Sequence, residues 1–150
     1  NITLPTTLNR NIGINKKYEL VSNTNIKKTT IYYTNTYDDY IYYVPVTLIN
    51  NDSRDKIEII IDELSSTNVY KSNLMSYLNS NTKIISVNET EDELVINFNS
   101  AILGDINTKD ILEEVIYTIS MSVNDNYDVE NVILSVENEE IHKSVLKSIE

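Results

Sequence analysis

Residues 81–99 constrain the fold of this chain more than any other segment, because two apolar runs there are separated by acidic residues. The runs at residues 83–88 and 93–98 are rich in β-branched and aromatic side chains, which favour strands. The carboxylates within residues 89–93 are costly to bury and indicate an exposed turn. The segment therefore predicts a β-hairpin around which the rest of the chain is organised.

Three further segments are predicted to be strands. Residues 29–34 and 40–49 precede the hairpin and residues 132–136 follow it, and all three are rich in β-branched or aromatic side chains. Pro45 has no N–H to donate to a ladder, so we expect the second of these strands at a sheet edge or at a bulge.

Two segments have the apolar spacing of an amphipathic helix. In residues 54–64 apolar side chains recur at i, i+3, i+4 and i+7, and Asp52 or Ser53 is the predicted N-cap. A longer apolar stripe predicts a second helix over residues 109–124, with Thr108 as its cap. Both helices should pack their apolar stripe against the sheet.

The predicted element order is β-β-α-β-β-α-β. This is an α+β fold in which two helices pack on one face of a small mixed or antiparallel sheet. A chain of 150 residues suits one ordinary domain. We expect that domain at residues 29–140, after a polar N-terminal arm or linker at residues 1–28 and before a charged C-terminal tail at residues 141–150.

The charge balance excludes several classes of partner. The formal net charge is −11 and the pI is about 4.4, so nucleic acids and anionic membrane surfaces would repel the chain. No apolar run approaches the roughly 18 residues that span a bilayer. The sequence has no cysteine, which excludes disulfides and suits an extracytoplasmic bacterial protein as well as a cytosolic one.

Glycine occurs only at Gly13 and Gly104. Many turns must therefore use Asn or Asp, the residues other than glycine that best tolerate left-handed backbone. Two isolated glycines also exclude a glycine-rich phosphate loop.

The sequence offers little for catalysis or for binding metal. The single histidine, His142, has no cysteine to pair with, so a catalytic dyad or a zinc site lacks parts. The loop after the second helix has oxygen-bearing side chains at alternate positions, but Val129 stands where a calcium loop needs glycine and Ser135 where it needs glutamate. We therefore predict no catalytic residue, no cofactor and no metal site, and a protein that is not an enzyme.

The clustering of tyrosine indicates a role other than core packing, because six of the eleven tyrosines lie between Ile31 and Val44. Strand side chains alternate between faces, so the adjacent pairs Tyr32-Tyr33 and Tyr42-Tyr43 cannot all enter one core. Exposed tyrosines favour a partner interface, whereas cross-strand tyrosine pairs would only stiffen a hairpin, and both interpretations remain open. The predicted partner-binding residues are Tyr32, Tyr37, Tyr40 and Tyr42.

Several short motifs resemble one known family. They are Val-Pro-Val-Thr at residues 44–47, Thr-Lys-Ile-Ile-Ser-Val at residues 82–87, Leu-Val-Ile-Asn-Phe at residues 94–98, and the valines at 129, 132 and 136. In this order, over residues 29–140, they are similar to the GerM domain of sporulation and spore-germination proteins. The chain departs from that family where Ser65-Ser66-Thr67 replaces a Gly-Pro, where Glu91-Asp92 replaces an Asp-Gly type turn, and where Leu48 replaces a basic residue.

The resemblance implies a fold similar to the ring-building motif domains of secretion systems. It also implies an extracytoplasmic protein of a sporulating bacterium, held in the intermembrane space by a membrane anchor that this sequence does not contain. Its partners would be proteins of a membrane channel or secretion-like complex, and it could form a homo-oligomer or ring. The implied role is a non-enzymatic scaffold for the channel between mother cell and forespore. The alternative is a module that binds cell-wall glycan or peptide through the tyrosines.

Overall fold

The computed structural model describes residues 26–66 and 73–146. Six strands and two α-helices lie within these residues: β1 Lys27–Tyr37, β2 Tyr40–Asn50, α1 Lys56–Leu64, β3 Ile84–Glu89, β4 Glu93–Phe98, α2 Glu113–Asn126, β5 Asn131–Val136 and β6 Glu139–Val145. The predicted α+β fold and its seven elements are confirmed in order, and β6 is an additional strand.

The chain divides into a main unit, residues 29–48 and 54–150, and a minor unit, residues 1–28 and 49–53. In the described part of the minor unit, the Asp52 amide donates a hydrogen bond to Asn50 Oδ1 at 3.2 Å. Most of the predicted polar arm at residues 1–28 lies outside the described residues. The division into arm, domain and tail stays a prediction.

A four-stranded mixed sheet forms the centre of the main unit, in the order β3-β4-β5-β6. The outer pairs are antiparallel, as in hairpins, and the central pair β4 and β5 is parallel. Parallel neighbours need a crossover of a dozen or more residues, and the segment that contains α2 supplies it. The predicted hairpin is confirmed as β3 and β4, and the two strands at the sheet edges are β3 and β6.

The core combines the apolar stripes of both helices with one face of the central strands. Leu94, Ile96 and Phe98 alternate along β4, and all three are fully buried. They belong to one hydrophobic cluster with the buried side chains of α1 and α2, which are Ile57, Ile59, Ile60, Ile61, Leu64, Val115, Ile119 and Val123. The predicted helical and strand periods therefore identify the buried faces.

Both helices begin later than the sequence predicts. The N-cap of α1 is Asp55, which replaces the predicted Asp52 or Ser53. The N-cap of α2 is Leu112, because Thr108 belongs to a closed turn: the Asp105 carboxylate accepts the amides of residues 107 and 108 at 2.8 and 3.4 Å. Side-chain bonds of this kind compete with helix formation.

Strand β6 includes residues 141–145, which belong to the predicted charged tail. Its exposed residues Glu139, Glu140 and Lys143 give it the composition of a tail. Ser144 is nevertheless buried, and the Leu146 amide donates to the Glu130 carbonyl at 2.8 Å. From Lys143 to Leu146 exposed and buried positions alternate, as in a strand with one solvated face.

The hairpin turns are built without glycine, as the shortage of glycine predicts. Asp38 and Asp39 between β1 and β2 have φ of 53° and 68°, and Glu137 and Asn138 between β5 and β6 have φ of 48° and 74°. Positive φ at both central residues is the type I′ geometry that matches strand twist. Buried Asn97 holds the second turn, since its Oδ1 accepts the Asn138 amide at 2.8 Å.

Candidate interaction surface

The hairpin of β1 and β2 exposes three of the four predicted tyrosines. Tyr37 is 72% exposed, Tyr40 66% and Tyr42 50%. Tyr40 and Tyr42 are two residues apart on one strand and therefore point to the same face. Met75, which is 44% exposed, lines with Tyr37 and Tyr42 a cleft of about 580 Å³. We call Tyr37, Tyr40, Tyr42 and Met75 the tyrosine surface.

Backbone hydrogen bonds fix Met75 beside β1. The Thr34 amide donates to the Met75 carbonyl at 2.8 Å, and the Met75 amide donates to the Thr34 carbonyl at 2.9 Å. The Thr34 hydroxyl adds a bond to the same Met75 carbonyl at 2.9 Å. The methionine therefore belongs to an ordered bridge, and nothing in its local sequence reveals that it joins a strand about forty residues earlier.

Tyr32 lies apart from the tyrosine surface. Its hydroxyl donates to Asp125 Oδ2 at 2.9 Å, and its amide donates to Ser122 Oγ at 2.9 Å. Burial raises the pKa of Tyr32, and the hydrogen bond to Asp125 and that carboxylate's charge raise it further. The structure thus uses Tyr32 to join β1 to α2, and its neighbour Tyr33 is buried in the core.

Tyr43 makes a second connection between the hairpin and α2. Its ring centroid lies 5.4 Å from that of Tyr117, with the rings tilted by 59°. Burial, followed by the charges of Glu114 and Glu113, raises the pKa of Tyr43 to about 12. Over residues 26–66 and 73–146, no ring contact joins Tyr37, Tyr40 or Tyr42 to another aromatic side chain.

The residues considered as catalytic or metal-binding candidates make hydrogen bonds within the fold. His142 lies in β6, where its Nε2 is 3.1 Å from Ser144 Oγ, and Ser144 Oγ accepts the Ser120 hydroxyl at 2.9 Å. Asn126 is one of the alternating oxygen-bearing residues considered as calcium ligands. Its Nδ2 donates a hydrogen bond to the Thr30 carbonyl at 2.6 Å. Among the described residues, no group of three or more His, Cys, Asp or Glu could hold a metal ion.

In the two described ranges, no helix is both long enough and apolar enough to cross a bilayer.

The arrangement of strands and helices is that of a GerMN domain. The solved structure of the tandem GerMN domains of the sporulation protein GerM from Bacillus subtilis superposes with a TM-score of 0.69 at 29% identity, covering 77% of this chain and 40% of that one. The first GerMN domain of the same protein has a TM-score of 0.60, covering 77% of this chain and 86% of that one. Its 11% identity supports the fold alone.

The family is shown by sequence. The profile of the Germane family, described as "Sporulation and spore germination", matches residues 30–142. The spore germination protein GerM of Bacillus subtilis (strain 168) is 33% identical over 134 residues, which cover 86% of this chain and 37% of that protein. This chain therefore belongs to the Germane family of sporulation and spore germination, and it spans well under half of the curated relative's length.

Proposed function

We propose that this chain is a non-enzymatic assembly module of a sporulating bacterium that works through protein–protein contacts. In this role it helps to build or stabilise the channel complex between mother cell and forespore, from an extracytoplasmic position held by a membrane anchor. The observation that carries the proposal is the tyrosine surface, where three tyrosines are exposed on the β1–β2 hairpin and a methionine bridged to β1 is exposed beside them.

The tyrosine surface has the chemistry of a contact site. Tyrosine offers a large apolar area with a polar tip, and only two side-chain torsions are ordered on binding. Methionine is flexible and adapts to irregular partner surfaces. Among the described residues, Tyr37, Tyr40 and Tyr42 make no ring contact with another aromatic side chain, which supports the interface interpretation over stiffening of the hairpin by aromatic pairs.

The charges near this surface indicate what partner it would accept. Asp38 and Asp39 form the exposed turn between Tyr37 and Tyr40, and the whole chain carries a net charge of −11. A partner with basic groups around an apolar or aromatic centre would associate faster and orient better than an acidic one.

The first test uses the purified chain as bait in membrane extracts of sporulating cells. Capture of integral channel components should be lost when Tyr40→Ser and Tyr42→Ser are combined. Ile106→Ser is the matched control, because Ile106 is as exposed, at 66%, but lies outside the tyrosine surface. Unchanged capture by the folded double variant would refute the assignment of this surface.

A second candidate is a module that binds cell-wall glycan or peptide. The cleft at the tyrosine surface supports it, since Asn35 and Asn73 line the cleft together with Tyr37 and Tyr42. Aromatic faces with nearby amides suit sugar and peptide ligands. Purified wall fragments should then bind the chain without any protein partner, and the Tyr40/Tyr42 double variant should release them.

A further inference from the structure

The edge strand β3 and helix α1 form a second groove, which shares no residue with the tyrosine surface. Residues 82–87 line one side, and α1 with its flanking residues lines the other, from Arg54 to Ser65. The groove has a volume of about 430 Å³, within the range of about 300–1,000 Å³ that is usual for ligand clefts. Ile61 and Ile84 are among the apolar residues that line it.

The two edges of the four-stranded sheet differ in chemistry. The β6 edge carries four charged or titratable residues, Glu139, Glu140, His142 and Lys143, which is a usual way to prevent another strand from adding. From Ile84 to Asn88, β3 carries no charge, and Ile85 and Val87 are exposed. A register shift near Ile85 is its one irregularity, and the pairing with β4 is regular from Ser86 to Glu89.

The open edge of β3 offers a row of backbone groups. Alternate residues of an edge strand direct N–H and C=O away from the sheet. No strand in the described part of the chain pairs with this side of β3. An extended peptide can therefore add to β3 as a fifth strand, with main-chain hydrogen bonds providing affinity and the groove providing specificity.

Thr82 provides an independent indication that a ligand belongs in this groove. It is one of the lining residues, and it is only 1% exposed. Within residues 26–66 and 73–146, its hydroxyl oxygen has no hydrogen-bond partner. Most buried polar groups are paired, and an unpaired one costs stability. If the Thr82 side chain turns toward the groove, a peptide amide or carbonyl there would supply the missing partner.

The charges of the groove select the peptide. Asp55, Glu58 and Asp62 follow one another at i, i+3 and i+7, on one side of α1. The basic lining residues are Lys83 and Arg54, and Arg54 lies 3.4 Å from Asp62. The carboxylates are therefore in excess, so basic side chains on the occupant would be attracted. A second copy of this chain, with its net charge of −11, would be repelled.

We propose that the groove between β3 and α1 binds an extended segment of a partner protein in which apolar and basic side chains alternate, by strand addition to β3. Alternate side chains of a strand point to opposite faces, so the basic side chains of the segment lie on the α1 side. Their aliphatic stems contact Ile84 and Ile61, and their charged ends face Glu58 and Asp55. Binding here is independent of the tyrosine surface and of the role proposed for it, because the contacts come from different elements.

The test uses a synthetic capped hexapeptide of alternating valine and lysine, labelled for fluorescence anisotropy. The wild-type chain should bind it and should bind the valine–glutamate counterpart at least tenfold more weakly. Two further versions carry N-methyl groups on one or the other set of alternate amides. Only one of them should lose binding, because a strand donates hydrogen bonds to its neighbour from one edge. Equal binding of both versions would overturn strand addition.

The protein variants use a pair of matched threonines. Thr82→Val removes the unpaired hydroxyl of a residue that lines the groove and should weaken binding about fivefold to tenfold, as expected for loss of one hydrogen bond. Thr29→Val removes a second buried hydroxyl that has no hydrogen-bond partner in the described part of the chain. Thr29 lies outside the groove, so this variant should leave the affinity unchanged. Equal affinity of both variants would refute the role of Thr82.

Amide hydrogen exchange then locates the peptide. Residues 84–89 should gain protection on binding, while residues 139–145 at the opposite edge should not. Protection at β6 in place of β3 would overturn the proposal. The Tyr40→Ser and Tyr42→Ser double variant should bind the peptide as the wild type does, so failure of this proposal and failure of the tyrosine surface are distinguishable.

Discussion

Replacing Asn126 with alanine should lower the free energy of unfolding by about 2–3 kcal/mol. The Asn126 side chain connects the end of α2 to β1: its Nδ2 donates to the Thr30 carbonyl at 2.6 Å, and its Oδ1 accepts the Thr30 amide at 3.2 Å. Nδ2 also donates to the Ser122 carbonyl at 2.7 Å. Each of the two bonds to Thr30 contributes about 1 kcal/mol net, and leaving part-buried backbone groups unpaired adds to the loss.

The assay is urea denaturation at 25 °C, supported by thermal melting. A loss of 2 kcal/mol should lower the melting temperature by roughly 4–8 °C in a domain of this length. Asn124→Ala is the matched control, since Asn124 lies on the same helix and makes no side-chain hydrogen bond among the described residues. Alanine there should be neutral or slightly stabilising. If the two variants unfold within about 0.5 kcal/mol of each other, the reasoning about the Thr30 connection is wrong.

Three further predictions concern the core, a tyrosine and a turn. Leu134→Ala should cost about 2–5 kcal/mol in denaturant unfolding, because Leu134 is fully buried, whereas Leu112→Ala, at an exposed position, should cost less than about 1 kcal/mol. The pKa of Tyr43 is raised to about 12 from the ordinary tyrosine value of 10.0, so the folded state holds this proton more tightly than the unfolded state. Its stabilising effect is complete below pH 10 and is lost as the pH rises toward 12; Tyr43→Phe should flatten urea stability across that range, and an unchanged slope would contradict this. Glu137→Asn should raise stability by about 0.5 kcal/mol, since Glu137 has φ of 48° and asparagine suits a type I′ turn better; a lower melting temperature would argue against it.

The sequence predicts best those strands and helices in which the buried side chains recur with the strand period or the helix period. Leu94, Ile96 and Phe98 alternate along β4 and are all buried, and Ile57, Ile60 and Leu64 recur along α1 with the helical period and are also buried. In such segments the hydrophobic effect acts on local spacing, so the sequence alone identifies both the element and its inner face.

The misses occur where a local or distant polar contact decides the structure. Thr108 is not a helix cap, because its backbone amide donates a hydrogen bond to the Asp105 carboxylate in a turn. The sequence does not predict strand β6, because the buried residue Ser144 is small and polar and lies among charged residues. These contacts involve few apolar atoms, so the hydrophobic pattern does not record them.

The tyrosines show the same division between what is local and what is distant. Alternation correctly predicts that Tyr32 and Tyr33 lie on opposite sides of β1, but not that Tyr32 binds Asp125, 93 residues later. Likewise, Met75 joins the tyrosine surface only through its bridge to Thr34. Contacts between residues so far apart in the sequence depend on the tertiary fold. Local patterns in a single sequence do not predict them.

The parallel pair at the centre of the sheet determines how the chain can reach its fold. The hairpins β3–β4 and β5–β6 close over short turns, so each can form early and alone. Leu94 lies opposite Val132, and that pairing must wait until the intervening segment with α2 has closed a long loop, which is the slow step in chains rich in distant contacts. Until then, β4 and β5 each present an unpaired apolar edge. At high concentration, β4 of one molecule can pair with β5 of another, so refolding yield should fall as the protein concentration rises.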